Sequence, residues 1–480
     1  MGLLRRSVIA ALAFAAMAGM AQVLFAGESA KTPAGGEVLV GSWAGTLHDG
    51  TQVHFIISRR WNGGLKASFG SVDRLFSAVW MDSVALTKGK VAISTRNAQV
   101  TFEGTLNTNG KSMAGKLKVG GTMRALTLAK VVAVPGPRRP QTPRPPFPYE
   151  VREVHYPNEA AGIELAGTLT LPRAGAPFPA VLLIAGSGPV DRNEEVLFHR
   201  PFEVWADYLT RRGVAVLRVD KRGVRESQGE WSTSDVHGFA GDALAGLKFL
   251  SGLPEIDARR MGLMGQSEGG MVAPIAATMS EDVSFVVSLA GPAMNFFDLI
   301  VLQDGAEAMA AGASEKEAQV IRAWSTRYYT IARDTKDLAV ARRKLEELKA
   351  ARTPEERKAF KYLGDVGSLN IDTVLENWSR QCLLLDPGEY LAKVKCPVLA
   401  LLGGKDCQVP AGPNLKAAEE AFRISGNKDA KAMELPGLNH LFQRCKTGGT
   451  SEYAQIEETI SPEVLKLVGD WIEAHTKARQ

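Results

Sequence analysis

The residues best placed to do chemistry lie in Met261-Gly262-Leu263-Met264-Gly265-Gln266-Ser267-Glu268-Gly269-Gly270, an apolar run ending in a Gly-x-Ser-x-Gly pentapeptide. Residues 271–277 behind it read as a helix. Strand, tight turn and helix in that order make the pattern of a nucleophile elbow. Glycines flank the serine for a steric reason. A strand turns into a helix within one or two residues only where no Cβ obstructs it, and the serine itself takes a strained backbone conformation. The turn exposes the hydroxyl at the end of the sheet, with a helix N-terminus behind it to favour developing negative charge.

A serine hydroxyl is a poor nucleophile until a base takes its proton. Beyond Ser267 the chain offers two histidines, His440 and His475. His475 falls in an expected terminal helix over residues 462–477 and reads as a surface residue. His440, in Leu435-Pro436-Gly437-Leu438-Asn439-His440-Leu441-Phe442, directly follows the last expected strand and is the base candidate. Asp406, in Gly403-Gly404-Lys405-Asp406-Cys407-Gln408-Val409-Pro410, follows the strand before and is the candidate acid that orients the imidazole. Two backbone N–H groups are needed for an oxyanion. They are expected from Glu268 and from Ser187, in the turn Ala185-Gly186-Ser187-Gly188-Pro189. Singly, each residue has a plain structural reading: a post-strand aspartate commonly caps a turn or helix. Ser267, Asp406 and His440 in that order at three strand ends carry the argument. The Glu268 carboxylate suits the first turn of a helix and equally a part in substrate binding. Arg192, in Asp191-Arg192-Asn193, could meet a substrate carboxylate, although ion pairing within the fold is the commoner fate.

These residues need a scaffold. From Tyr149 onward apolar runs such as 180–184, 214–219, 261–264, 285–289 and 398–402 alternate with helical stretches such as 202–212 and 238–253. Continuous apolar strands joined by helices imply a mostly parallel sheet covered on both faces. Between Leu289 and Val398 the rhythm breaks into charged helical sequence, expected to form a cap at about residues 295–392 above the strand ends, where such sheets bind ligands. Its aromatics Trp324, Tyr328, Tyr329 and Trp378 either pack together or face the pocket.

Residues 38–131 have another character, with short β-rich runs separated by Asp49-Gly50, Lys88-Gly89-Lys90 and Asn109-Gly110 turns. They imply a small antiparallel β domain, a meander or partly closed barrel. Within it, Gly104 to Gly110-Lys111-Ser112 imitates a phosphate-binding loop with one residue too many, and a hairpin is the better reading. His48 and His54 have no neighbours in sequence that suggest a metal site. Residues 132–148 hold seven prolines and read as an extended spacer. The part in which strands alternate with helices then runs over 149–480.

Composition bounds the rest. At 480 residues more than one core is expected, and 45% hydrophobic with 23% charged residues is ordinary for a globular chain. The net charge of +5 is dispersed, which speaks against a nucleic-acid partner. Residues 1–26 combine a basic start, Arg5-Arg6, with an uncharged apolar stretch, and read as a secretory signal cut between Ala21 and Ala26. That places the protein in the periplasm or outside the cell, with no stable membrane partner unless the segment stays uncleaved as an anchor. The four cysteines, Cys382, Cys396, Cys407 and Cys445, allow three full pairings and show no zinc spacing.

Residues from about 150 to 480 resemble the α/β-hydrolase superfamily. The Gly-Gln-Ser-Glu-Gly-Gly, Gly-Gly-Lys-Asp-Cys-Gln-Val-Pro and Leu-Asn-His-Leu-Phe stretches are similar to bacterial exported esterases related to the serine aminopeptidase group. The resemblance implies an eight-stranded, mostly parallel sheet with a helical cap, and an exported hydrolase of small-molecule carboxylic esters without cofactor or metal. It equally allows a peptidase or amidase. A third alternative makes the β domain an envelope- or carbohydrate-binding module with incidental hydrolysis. Two positions depart from the family: Ala185 stands where many members have a histidine, and Gln266 replaces a frequent histidine beside the nucleophile. If Asp406 and His440 meet, their loops must be neighbours. Cys407 adjoins the first and Cys445 follows the second, so a Cys407–Cys445 disulfide is expected between them, with Cys396 a core thiol and Cys382 unassigned.

Overall fold

The computed structural model describes residues 36–477 apart from 61–62, 72–75, 96–98, 135 and 364–368. The expected signal segment, 1–26, lies outside the described residues. Two compact units are distinguished: one ends at Arg138 and includes Glu195–Phe198, the other comprises Arg139–Glu194 and the chain from His199 onward.

The first unit is a nine-stranded antiparallel sheet, from Gly41–Thr46 to Thr122–Val131. Its hydrogen-bonded order begins at Phe76–Met81 and ends at Ser83–Thr87, two strands consecutive in the chain. Among the described residues no pairing joins those two ends, so the barrel stays open there. Alternation drives it: in Lys90–Ser94, Val91 and Ile93 face the core while Lys90 and Ala92 face water. The interior is built on Trp43, Phe55, Phe69 and Phe102, with the Trp43 indole donating to the Leu39 carbonyl at 2.7 Å. The phosphate-loop imitation is a hairpin, Leu106 pairing with Met113 across an Asn107–Gly110 turn. His48 is exposed and His54 buried.

The second unit is an eight-stranded sheet, its strands numbered β1 (Glu150–Asn158), β2 (Ile163–Leu171), β3 (Phe178–Ile184), β4 (Ala215–Val219), β5 (Ile256–Gln266), β6 (Phe285–Leu289), β7 (Val398–Gly403) and β8 (Ala430–Leu435). The order is β1-β2-β4-β3-β5-β6-β7-β8, antiparallel at β1–β2–β4 and parallel from β4 to β8. Every residue of β6 and β7 is buried, as the uninterrupted apolar runs require of strands covered on both faces. Helices α1 (Pro201–Arg211), α2 (Val236–Ser251) and α3 (Glu268–Met279) connect the early strands, and α11 (Ala411–Ser425) and α12 (Pro462–Thr476) follow the late ones.

Between β6 and β7 stand seven helices among the described residues: α4 (Phe296–Ala310), α5 (Glu315–Asp334), α6 (Leu338–Ala350), α7 (Pro354–Phe360), α8 (Ile371–Leu375), α9 (Asn377–Cys382) and α10 (Pro387–Leu391). Trp324, Tyr328 and Tyr329 of α5 form this segment's own core, stacked and edge-on with Phe360. Capping boxes at Ser314 and Thr353 fix the starts of α5 and α7.

The proline-rich stretch is less of a spacer than expected. From Arg139 it is clipped to the loop before α12: Arg139 donates to the Ala454 and Ile456 carbonyls, and the Gln141 side chain bonds the Thr459 and Ile460 backbone. Proline cannot supply backbone donors in this stretch. The two long polar side chains between the prolines provide the attachment instead.

Candidate active site

β5 ends at Gln266 and α3 begins at Glu268, leaving Ser267 alone to make the turn at φ +54°, ψ −119°. For a residue with a Cβ this is a strained conformation, held by the packing around it. A Cβ on Gly265 would lie 1.9 Å from the Gly269 carbonyl oxygen, and one on Gly269 would lie 2.0 Å from that of Ile184. Only glycine fits at either place. The Ser267 N–H donates to the Leu289 carbonyl at 2.8 Å, tying the elbow to the end of β6.

Asp406 and His440 come together from the loops after β7 and β8. His440 Nδ1 is 2.7 Å from Asp406 Oδ2, and both side chains are buried. The other carboxylate oxygen, Oδ1, accepts the Gln408 and Val409 N–H groups at 2.8 Å each. Asn439 shapes the histidine loop by accepting the Leu441 and Gln443 N–H groups, and Lys405 N–H donates to the Leu438 carbonyl to join the two loops. The Gln266 amide, next to the serine, donates to the His440 carbonyl at 2.8 Å. Ser267, Asp406 and His440 thus share one edge. Among the described residues no hydrogen bond joins the Ser267 hydroxyl to the imidazole; catalytic hydrogen bonds of this kind often tighten only when substrate binds.

Ser187 follows β3 in the turn facing the elbow, and Gly186 packs 3.4 Å from Ser267 Cβ when given a Cβ of its own. The Gly186 N–H is taken by Glu194 Oε1 at 2.8 Å, whereas the Ser187 N–H has no partner among the described residues. Glu268 opens α3, where the first N–H groups have no carbonyl within the helix to bond. Both residues expected to supply oxyanion amides thus adjoin the elbow.

Several side chains here left no motif. Burial lifts the Glu194 carboxyl to about 8, against the pull of the Gly186 N–H and Lys221, and its Oε2 is buried without a partner. Lys221, after β4, binds Glu268 Oε2 at 2.5 Å and the Gly186 carbonyl at 3.0 Å. Trp378 of α9 donates its indole N–H to Glu268 Oε1 at 2.5 Å. Glu268 is therefore committed to partners within the fold. A cavity of about 50 Å³ is lined by Lys221 and Glu268 together with Leu182, Phe239 and Val272. Glu307 of α4 is lifted to about 7 by burial, and its carboxyl interacts with His440 and Asp406.

Three expectations are settled by partners. Arg192 is 4% exposed and bonded to Asp220, Glu226 and Glu153, so it belongs to the fold's ion pairing. His475, on α12, stacks on Trp471 with its Nδ1 against the Trp471 carbonyl and its Nε2 3.2 Å from Asp429 Oδ1. The expected Cys407–Cys445 disulfide is corrected: both are free thiols, Cys407 bonding the Gly448 carbonyl at 3.3 Å and Cys445 the Gly437 carbonyl at 3.5 Å. Their loops are joined by the Lys405 backbone and the Asp406–His440 pair, and each sulfur is directed to a different carbonyl. Cys382 and Cys396 are also free, with burial pushing both thiols up, Cys396 to about 11.

The strand order, the elbow and the paired loops after β7 and β8 define the class: this is an α/β-hydrolase. The family model described as X-Pro dipeptidyl-peptidase (S15 family) matches residues 161–418, more than half of the chain and a span that includes Ser267 and Asp406. The chain belongs to that family. It is 26% identical over 281 residues to esterase EstD of Thermotoga maritima, covering 58% of each chain. To esterase FrsA of Yersinia pestis it is 30% identical over 128 residues, 26% of this chain and 28% of that one. The chain thus spans less than two thirds of either relative. Among solved structures, a Pyrococcus furiosus esterase aligns with a TM-score of 0.41 and 16% identity, covering 71% of this chain and 99% of that one.

Proposed function

We propose that this protein is an exported serine hydrolase that cleaves carboxylic esters through an acyl-enzyme on Ser267. The observation that carries the reading is the buried Asp406–His440 pair, 2.7 Å apart, with the His440 carbonyl bonded to Gln266, the residue beside the strained serine. His440 takes the Ser267 proton as the hydroxyl oxygen attacks the ester carbonyl. The carbonyl oxygen becomes an anion and is met by the Glu268 and Ser187 N–H groups. Collapse expels the alcohol, which receives the proton from His440. A water then repeats the sequence on the acyl-enzyme and releases the acid. Asp406 holds Nδ1 protonated throughout, leaving Nε2 as the base. The esterases named among its relatives support this substrate class.

A second reading, a peptidase, is favoured by the family match over residues 161–418. The same attack applies, with an amine leaving in place of an alcohol. The deciding assay compares p-nitrophenyl esters of graded acyl length with alanyl-prolyl p-nitroanilide, using Ser267→Ala as control. Turnover of the anilide alone would overturn the ester reading, and activity surviving in Ser267→Ala would overturn both. Export rests on residues 1–26. Recovery from the periplasm or medium with a new N-terminus between residues 22 and 27 supports it, and recovery only as an intact chain in the membrane or cytosol defeats it.

A further inference from the structure

We propose that Trp378, Glu268 and Lys221 form a relay that holds the Gly186–Ser187 peptide in place, so that seating of the helical cap sets the oxyanion amide of Ser187. The proposal rests on the hydrolase reading above and concerns how its anion site is made. Lys221 carries the argument. Its ammonium has three donors, and the surroundings account for it fully: Glu268 Oε2 at 2.5 Å, the Gly186 carbonyl at 3.0 Å and the Phe239 ring face at 4.1 Å. With its side chain only 8% exposed, it has no free donor directed at a substrate.

The Gly186 carbonyl and the Ser187 N–H belong to one planar trans peptide, so they point in opposite directions. Fixing the carbonyl on Lys221 therefore fixes the N–H on the far side. A cation on the carbonyl also draws electron density from the amide and strengthens the N–H as a donor. The preceding peptide is pinned as well, since Glu194 Oε1 takes the Gly186 N–H at 2.8 Å. Held at both peptides, the turn leaves the Ser187 N–H without a partner among the described residues.

The remaining members connect that turn to the cap. A buried ammonium needs a counter-charge, and Glu268 supplies it with one oxygen while the other accepts the Trp378 indole N–H at 2.5 Å. Trp378 stands on α9, in the segment between β6 and β7. Glu268 also contributes its own backbone N–H on the other side of Ser267. One side chain thus joins the cap, the lysine and the nucleophile elbow. Loss of the indole donor would free a Glu268 oxygen to compete for the lysine, and Lys221 would hold the Gly186 carbonyl less firmly. The three side chains act by positioning, because none of them touches the reacting atoms; only the Glu268 backbone N–H does.

The test is a double-mutant cycle in the full-length protein, read as kcat and KM on p-nitrophenyl acetate. Trp378→Phe keeps the ring and removes only the donor. It is expected to lower kcat about 10-fold with KM changed less than twofold. Lys221→Met is expected to lower kcat by about 100-fold, the scale of an impaired oxyanion donor. In the Lys221→Met background Trp378→Phe should have no further effect, because the relay is already cut. Multiplying effects, or a change in KM alone, would show that Trp378 merely lines the pocket and would overturn the proposal. Should Lys221→Met fail to fold, with Glu268 left unpaired, Trp378→Phe decides alone: unaltered kcat refutes the relay. Wild-type turnover lost in Ser267→Ala but unaffected by either relay variant defeats this inference only. No wild-type turnover of ester or anilide, with no labelling of Ser267 by a fluorophosphonate, defeats the hydrolase reading on which it rests.

Discussion

Asp406 divides its carboxylate between two tasks, one oxygen 2.7 Å from His440 Nδ1 and the other accepting the N–H groups of Gln408 and Val409. The two amides fix which oxygen faces the histidine. Asp406→Asn should therefore fold normally, with its single oxygen drawn to the two amides and its NH2 turned toward Nδ1. That orientation demands the wrong imidazole tautomer, with Nε2 protonated and useless as a base. A fall in kcat of about 10⁴-fold is expected with circular dichroism and melting temperature near wild type. Steady-state kinetics beside a thermal melt measures both, and a fall of less than 10-fold would show that Asp406 does not orient the base.

The elbow predicts a different kind of failure. A methyl group on Gly269 would sit 2.0 Å from the Ile184 carbonyl oxygen, and that oxygen belongs to β3 at the centre of the sheet. Neither side can yield cheaply. Gly269→Ala should cost more than about 3 kcal/mol and appear as loss of soluble protein or a sharply lowered urea midpoint. Gly412→Ala is the control, because a Cβ there meets nothing within 4 Å and replaces glycine inside α11. It should be neutral or stabilising by about 0.5–1 kcal/mol. Equal midpoints for the two variants would contradict the packing described.

What was legible in the residues is what adjoins its own scaffold. The elbow, the Asp406 loop and the His440 loop each follow an apolar strand within a few positions, so one reading found strand and side chain together. β1 was missed because it is an edge strand with charged positions and a proline, burying only Tyr156 and Asn158 outright, and such a strand carries little apolar signal. The pairings of Lys221, Glu194 and Trp378 were illegible for another reason. Their partners lie 47, 8 and 110 positions away, and no periodicity encodes a pairing made by the fold. The disulfide expectation failed on direction. Sequence proximity to two residues that meet says nothing about where the neighbouring Cβ atoms point, and sulfurs bond only within narrow geometry. The proline-rich stretch was read from its rigid residues, while Arg139 and Gln141 between them make its contacts.

His199 gives the chain a pH dependence of known sign. Its ring is buried, with nitrogens 2.9 Å from the Tyr453 carbonyl and 3.0 Å from the Thr459 hydroxyl. Burial presses it down from 6.5 to about 4, with Arg139 adding to the shift and the Tyr453 carbonyl opposing it. The unfolded chain therefore takes up this proton first as the pH falls. The stability that His199 contributes is intact above 6.5 and drains between 6.5 and 4. By pH 5 the loss should be about 2 kcal/mol relative to pH 7. Urea midpoints of wild type and His199→Gln at the two pH values isolate it, since glutamine has nothing to titrate. A drop as large in the variant as in wild type would assign the acid sensitivity to other groups.

Arg192 separates a structural cation from a substrate-binding one. Its guanidinium donates to Asp220, Glu226 and Thr168 inside the fold and to the partly exposed Glu153 at its edge. Burial alone would push Asp220 up, yet Arg192 holds it below the usual carboxylate range. Arg192→Met leaves two buried carboxylates without their counter-charge and should cost about 3–5 kcal/mol, read from chemical denaturation. Arg192→Lys should fall between, because one ammonium cannot span the fork of oxygens that a planar guanidinium meets. Adding Asp220→Asn to Arg192→Met should recover part of the loss, as one of the stranded charges disappears. If Arg192 instead served substrate recognition, Arg192→Lys would raise KM selectively for carboxylate-bearing esters. The expected result is an unchanged KM for acidic and neutral esters alike, with stability the only property that moves.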